Sequence, residues 1–351
     1  MKRRQWLRAA LGLGALTGVS GMSPKSLRWE QRSMLGFGTI LHIKAAHEDA
    51  GVLDRALDAG VRALRRIESQ MSLFQPDSAL SRLNRDGLLR APPAELVDIL
   101  DIAHAVSRDS DGAFDVTVQR LWLAFEAAQR GGRLPTSREV NAARAKVDWR
   151  ALDVTSRLIR FDTPGMSATL NGIAQGYAAD HVRALLASRG IQHALVDAGE
   201  FAPLGNNSES QPWTLGIADP REESALIARL MSDGRCIATS ADSLTTFSAD
   251  RRHHHIFDPH TGYSPTALAA VTVAAHSGAI ADALTKVFFV AGPERVRVLA
   301  HQWKVDALWV DKAGRWEATP GLKQRLSDEQ QAHLPRQRHD SSSSVREPPL
   351  R

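Results

Sequence analysis

An α+β fold built around a sizeable core is predicted by two kinds of apolar spacing in one chain. Runs with helical period alternate with short runs of strand character, and Gly, Pro, Asp and Asn mark the turns between them. With 351 residues, 43% of them hydrophobic, the chain has room for one large domain or two modest ones.

The elements follow in order. Residues 1–23, MKRRQWLRAALGLGALTGVSGMS, stand apart from the rest. Arg3-Arg4 precede Gln5, Trp6 and Leu7, and a short apolar run follows from Ala9 to Val19. This pattern reads as an export signal of twin-arginine type, which implies a periplasmic protein cut near residues 18–23. The run is too short and too rich in Gly to span a bilayer comfortably. A basic helix on a cytoplasmic protein is the plainer alternative. Of the net charge of +5, four positive charges belong to Lys2, Arg3, Arg4 and Arg8, leaving about +1 for the remainder. No basic stripe interleaves with aromatics, so nucleic acid is not an expected partner.

Met34 to Ala45 alternates like a strand. Asp49 to Gln70 carries Val52, Leu53, Ala56, Leu57, Val61, Leu64 and Ile67 at helical period, and Pro92 to Ser107 repeats the pattern. A helix is expected over Val118 to Ala127. Short strands are expected around Ser156-Arg157, at Ala194–Val196, Thr214–Ile217 and Val271–Ala275, and a terminal pair at Leu308–Val310 and Arg315–Ala318. Ala279 to Ala291 is a dense apolar helix. Residues 327–351 are polar and have the makeup of a disordered tail.

Several residues invite chemistry. In TLNGIAQGYAAD, Thr169 to Asp180, Gly172 and Gly176 let the backbone approach something closely, and a helix begins behind them. Such a turn can cradle phosphate, or simply join a strand to a helix. Phe37 and Phe74 suit stacking on a flat ring, or packing in a core. Asp115 can accept hydrogen bonds from a nucleotide, or cap the helix that follows. Ser78 reads as a helix cap. Cys236 is the only cysteine, so it has no internal partner and reads as a small buried hydrophobe. His253, His254 and His255 are adjacent, and neighbours on a strand point to opposite faces, so a three-histidine metal site is disfavoured. A single His among them can serve as a proton acceptor near neutral pH. Asp282 can begin a helix as a dipole-matched carboxylate.

Seven segments in order resemble the flavin transferases of the ApbE family. They are FGT (37–39), MSLFQPDSALSRLN (71–84), GAFDVTVQRLW (112–122), TLNGIAQGYAAD (169–180), LVDAGE (195–200), HIFDPHTG (255–262) and ADALTKVFFVAG (281–292). The resemblance spans about residues 34–321 and implies a T-fold-like arrangement of mixed sheets packed with helices.

It also implies roles. Phe74 would lie against the flavin, with Phe37 close by. Ala113, Phe114 and Asp115 would form a loop of the FAD site, with Gln175 and the backbone of Ile256 as further contacts. His255 would be the reactive histidine and Asp258 its neighbour. The Gly172 carbonyl and Asp282 would bind Mg²⁺. Asp180 is expected to lock its helix. The chain departs from the family at several places, among them Phe37, where many relatives have Met. Thr169 replaces an Asp, Gln175 a Lys or Glu, and Glu200 a Gly, the last expected to contact the acceptor protein or, as the preferred reading, simply to sit on a loop. Lys286 stands where relatives place a metal-binding Thr, and an ammonium cannot ligate a metal. Lys286 would then bind phosphate directly, or turn away and leave the metal shell to Thr285 or water.

The activity implied is FAD:protein FMN transfer, with FAD as donor and a Thr or Ser of a flavoprotein as acceptor. The LNGIAQGY wording resembles members associated with nitrous-oxide respiration, which implies a membrane-bound acceptor. Two other classes remain: a periplasmic flavin-binding protein without transfer activity, and a metal-dependent FAD pyrophosphatase.

Overall fold

The longest apolar stripe of the sequence becomes helix α1 (Ala50–Met71) in the computed structural model, which describes residues 26–222 and 225–326. Asp49 caps it by accepting from the Val52 N–H at 2.9 Å, and Leu53, Leu57, Leu64 and Ile67 are fully buried along one side. Each such side chain contributes about 1.5–3 kcal/mol through burial. The export signal and the polar tail expected at the two ends lie outside the described residues.

The strands are β1 (Arg28–Gly36), β2 (Thr39–His47), β3 (Leu88–Arg90), β4 (Leu152–Val154), β5 (Leu158–Phe161), β6 (His193–Asp197), β7 (Phe201–Leu204), β8 (Thr214–Ala218), β9 (Leu226–Met231), β10 (Cys236–Ala241), β11 (Leu268–Ala275), β12 (Asp306–Asp311) and β13 (Trp316–Ala318). The remaining helices are α2 (Ala79–Asp86), α3 (Ala94–Asp109), α4 (Gln119–Arg130), α5 (Ser137–Arg144), α6 (Ala174–Ser188), α7 (Gly278–Ala291), α8 (Pro293–Gln302) and α9 (Pro320–Lys323). Eight strands form one sheet in the order β1-β2-β6-β7-β10-β11-β12-β13, and the three-stranded sheet β3-β5-β4 and the pair β8-β9 stand beside it. The α+β class holds, and the sheets are antiparallel at every pair rather than mixed. The single strand expected over Met34–Ala45 is a hairpin. Phe37 and Gly38 take positive φ of 50° and 79° and turn the chain, so Leu35 pairs with Ile40.

Alternation along the strands divides the core. In β10, Cys236 and Ala238 face the main core under α1, α6 and α7, while Ile237 and Ala241 face a second cluster with Leu215, Ile217 and Leu230 of β8 and β9. Cys236 is fully buried, as its strand reading implied, and burial pushes its thiol far above the ordinary range. A third, aromatic cluster joins Leu121 and Phe125 of α4 to Phe247 and Phe257.

Helices α6 and α7 cross in backbone contact. A Cβ on Gly176 would collide with the carbonyl of Gly278, so glycine is required there. Asp180 of α6 completes the crossing. Its carboxylate accepts from Ser277 Oγ at 2.8 Å and the Ala279 N–H at 3.2 Å at the start of α7, and from Arg183 and the Cys236 thiol. The locking role expected for Asp180 is the one it has, and Ser78 caps α2 as expected.

Candidate active site

The site forms where the turn before α6, one face of α7, the β6–β7 connection and the loop after β10 meet. The turn is fixed first. Asn84 of α2 clamps the Ala168 backbone at both its N–H (2.7 Å) and its carbonyl (2.8 Å). Thr169 donates its N–H to Val116 at 2.7 Å and accepts from Asn171 through its hydroxyl. The chain then passes under α7. A Cβ on Gly172 would lie 3.2 Å from Lys286 Cε and 3.4 Å from a ring carbon of Phe114. The stem of Lys286 therefore lies across Gly172, with Phe114 beside it. The cradle expected around Gly176 is a helix crossing instead, and the Gly176 N–H is spent on Asp282 Oδ2 at 3.3 Å.

Asp282 and Lys286 share a face of α7, one turn apart, and form an ion pair in which Asp282 is 1% exposed and the Lys286 side chain 18%. Lys286 Nζ also reaches the Asp282 carbonyl at 3.2 Å. Thr285 points the other way. Its hydroxyl donates to the Asp282 carbonyl at 2.6 Å and meets Ser240 Oγ at 2.7 Å inside the core, so it cannot complete a metal shell. With one Asp282 oxygen on Lys286, the other on Gly176 and the hydroxyl turned away, these residues do not fit a resident Mg²⁺ as the resemblance implied. Among the described residues, no group of three or more His, Cys, Asp or Glu is placed to hold a metal.

Glu200 belongs to this cluster: it lies on a loop, as expected, but the loop is turned inward. It is buried between β6 and β7 and accepts from the Thr239 N–H at 2.9 Å. Burial, and then the nearby Asp282, push its carboxyl well above the ordinary range, with Lys286 opposing them. Burial also raises Asp197 on the same connection. Gln175 lies against Gly199, whose φ of 94° keeps the space open for it.

The three histidines have three different environments. His253 joins the aromatic cluster, 5.7 Å from Phe125 and 6.2 Å from Tyr263 between ring centres. His254 is wholly buried, with Nε2 on the Pro265 carbonyl at 3.0 Å and Nδ1 taking the Ile256 N–H at 3.3 Å. His255 is the one left for chemistry. Its Nδ1 faces the Thr245 carbonyl at 3.3 Å, which fixes the proton there and leaves Nε2 as the acceptor. Burial, helped by His254 and Lys286, lowers it to about 4, so the ring is neutral at physiological pH. The neighbour expected to orient it was Asp258. That carboxylate instead closes its own turn by accepting from the His260 N–H at 2.9 Å, and Thr245 does the orienting.

Asp115 is also used internally. Thr117 N–H (2.7 Å) and Oγ (2.6 Å) share one oxygen, and the Trp149 N–H takes the other at 3.0 Å. Burial raises it to about 6 against those bonds. It caps the 3-10 turn at Val116–Val118 and shapes the loop of Ala113 and Phe114, which meets the turn of His260 next to Gly112. Phe37 and Phe74 come together at the hairpin turn. The Phe37 N–H donates to Glu68 Oε1 at 2.9 Å, and the Phe74 ring lies on Gly38 while 66% exposed. Ile256 has its N–H occupied by His254. Asn84, Thr245 and Glu68 carry parts of this framework that motif reading did not single out. Their signal is a contact across many residues, which spacing does not reveal. The outer end of the His255 loop lines a cavity of about 590 Å³ with Arg251, Arg252, Arg221 and Lys312, and none of the expected site residues opens into it.

Comparison with known proteins places this geometry in context. The model of the ApbE family matches residues 37–309. The chain is 30% identical to an FAD:protein FMN transferase of Vibrio cholerae, over 88% of this chain and 94% of that protein. Its likeness to the FAD:protein FMN transferase of Salmonella typhimurium is 28%, over 83% and 86%. The crystal structure of the ApbE protein from Thermotoga maritima superposes with a TM-score of 0.76 at 26% identity, covering 85% of this chain and 99% of that one. The flavin transferase ApbE from Vibrio cholerae gives 0.74 at 26%, covering 86% and 100%.

Proposed function

The chain belongs to the ApbE family, and from that membership we propose its chemistry: it is an FAD:protein FMN transferase, with FAD as donor and a protein as acceptor. A Ser or Thr hydroxyl of a partner flavoprotein attacks the phosphorus on the FMN side of the diphosphate. His255 Nε2 takes the hydroxyl proton, the new P–O bond links FMN to the protein, and the bond to AMP breaks. The observation that carries this reading is the Nδ1 of His255 on the Thr245 carbonyl, which leaves Nε2 unprotonated on a neutral ring. A bound diphosphate raises the affinity of that nitrogen for a proton, because opposite charge favours imidazolium. Gly172, Phe114, Gln175 and Lys286 would hold the phosphates and the adjoining groups, and the exposed ring of Phe74 would offer a face to the flavin. No step is assigned to Mg²⁺. The acceptor we favour is the membrane-bound flavoprotein of nitrous-oxide respiration, on the LNGIAQGY segment.

The test is incubation with FAD, with and without a Ser/Thr flavoprotein acceptor, read by AMP release and acceptor mass. Transfer requires both AMP and an FMN gain on the acceptor. AMP without acceptor makes the protein a pyrophosphatase, and FAD binding without AMP makes it a carrier, a reading that the Lys286 ion pair favours. His255→Ala should keep FAD binding and lose transfer by about two to four orders of magnitude. We place the mature protein in the periplasm on the Arg3-Arg4 segment. An Arg3→Lys/Arg4→Lys precursor should stay in the cytoplasm; its normal accumulation in the periplasm would overturn the twin-arginine reading.

A further inference from the structure

We propose that the Lys286 ammonium is this chain's built-in cation for the diphosphate, standing in the position of a divalent metal, so that turnover does not require Mg²⁺. This rests on the transferase reading and deepens it.

Three observations carry it. First, the ammonium is held at the site. Its stem lies on Gly172, its Nζ pairs with the buried Asp282 and also meets the Asp282 carbonyl, and only 18% of the side chain is exposed. Second, the side-chain oxygens that a metal would need on α7 are occupied. The carboxylate is shared between Lys286 and the Gly176 N–H, and the Thr285 hydroxyl is bonded into the core at Ser240. Third, the charges around Nζ suit a resident monovalent cation. Asp282 of α7 is the partner of Nζ, Glu200 on the β6–β7 connection is pushed toward its neutral form by burial and by Asp282, and His255 on the loop after β10 is neutral at physiological pH, so one carboxylate faces one ammonium. A divalent ion arriving here must displace the ammonium from Asp282 and then stand beside it, and like charges at a few ångströms repel strongly in a site this dry.

The ammonium has what the diphosphate needs. It carries three donors on a flexible stem, so it can leave Asp282 for the non-bridging oxygens without losing its place over Gly172. The developing charge then meets a cation already in the protein, which is preorganised electrostatic stabilisation. The pair Asp282–Lys286 is neutral overall, whereas a carboxylate with a divalent ion is positive. Diphosphate binding here should therefore be weaker than at a metal-loaded site, with rate supported by position rather than net charge.

The experiment is a Mg²⁺ titration by calorimetry on flavin-free wild type, Lys286→Thr and Lys286→Met. Melting curves show that each variant is folded, and Lys286→Met keeps the stem over Gly172. Lys286→Thr should bind Mg²⁺ at least about tenfold more tightly than wild type, because it removes a like charge and adds an oxygen. Lys286→Met should not gain that oxygen-dependent affinity, and should bind FAD about tenfold more weakly. In transfer assays with EDTA, wild type should keep its rate and Lys286→Thr should lose it. Wild type binding Mg²⁺ as tightly as Lys286→Thr, or a wild-type rate abolished by EDTA, overturns the proposal. If no condition gives transfer, the transferase reading fails, and calorimetry still decides whether Lys286 excludes the metal.

Discussion

Asp115 and Asp282 are both buried carboxylates expected to touch the ligand, and the structure puts them to opposite uses. Asp115 is closed by donors that cannot leave: the backbone of Thr117 and Trp149, and a hydroxyl on the same short turn. Asp282 is closed on one side by the Gly176 N–H and on the other by a side chain on a long stem. The first arrangement builds a loop. The second holds a group ready to be released. What distinguishes a site carboxylate from a structural one here is whether its partner can move, and burial alone does not tell them apart.

The sharpest test of that contrast is a pair of isosteric changes. Asp282→Asn should cut transfer by about two orders of magnitude or more, since it frees Lys286 from its anchor beside the reacting phosphate. Asp115→Asn should leave transfer within a few-fold, measured at saturating FAD and acceptor. Comparable losses at both positions would erase the distinction.

Stability gives the next largest effect. Gly176→Ala should lower unfolding free energy by about 1–3 kcal/mol or more, since a methyl must push α6 off the Gly278 backbone. Asp115→Asn should cost about 1–3 kcal/mol, because an amide cannot accept from both Thr117 and Trp149. The pH dependence of that cost has a definite sign. Asp115 is raised from its ordinary value to about 6, so its contribution is complete below about 3.8 and is lost as pH rises through 6. The gap between wild type and Asp115→Asn in urea denaturation should therefore narrow from pH 4.5 to pH 7.5. A gap that widens would mean that hydrogen bonds to the ionised form dominate over burial.

The smallest expected effect is at the hairpin. Phe74→Ala should change stability by no more than about 0.5 kcal/mol, since the ring is mostly exposed. It should weaken FAD binding a few-fold if the ring meets the flavin. A large stability loss with unchanged FAD affinity would make Phe74 part of the scaffold, as Asp115 is.

Much of the fold was legible because helical period survives burial. The runs behind α1, α3 and α7 were read nearly to their ends, and the terminal strand pair is present as β12 and β13. The β1–β2 hairpin was missed because the alternation of apolar residues continues across its Phe37-Gly38 turn, and Phe37 at positive φ hides the signal of Gly38 beside it. At the site, the meeting of Gly172, Asp282 and Lys286 was implied by the family resemblance, and Lys286 does face inward. The rest depended on contacts between distant segments. Gly176 looks like Gly172 in the sequence, yet one faces a lysine stem and the other a neighbouring backbone. Glu200 was rightly read as a loop residue, but its burial was not, because nothing local reveals that β10 lies over it. Thr245, which orients His255, has no sequence signal at all, since its carbonyl does the work.

The latch of Asp180 has a practical consequence. It joins α6 to the first turn of α7 and also takes the thiol of Cys236, the chain's single cysteine, which is fully shielded. A thiol reagent in excess therefore has one target, and that target is reached when the crossing of α6 and α7 opens. Labelling kinetics then act as a clock for the framework under the active site, read without mutation or added probe. FAD should slow the clock if its binding tightens this crossing, and an acceptor protein added on top would show whether the second substrate tightens it further.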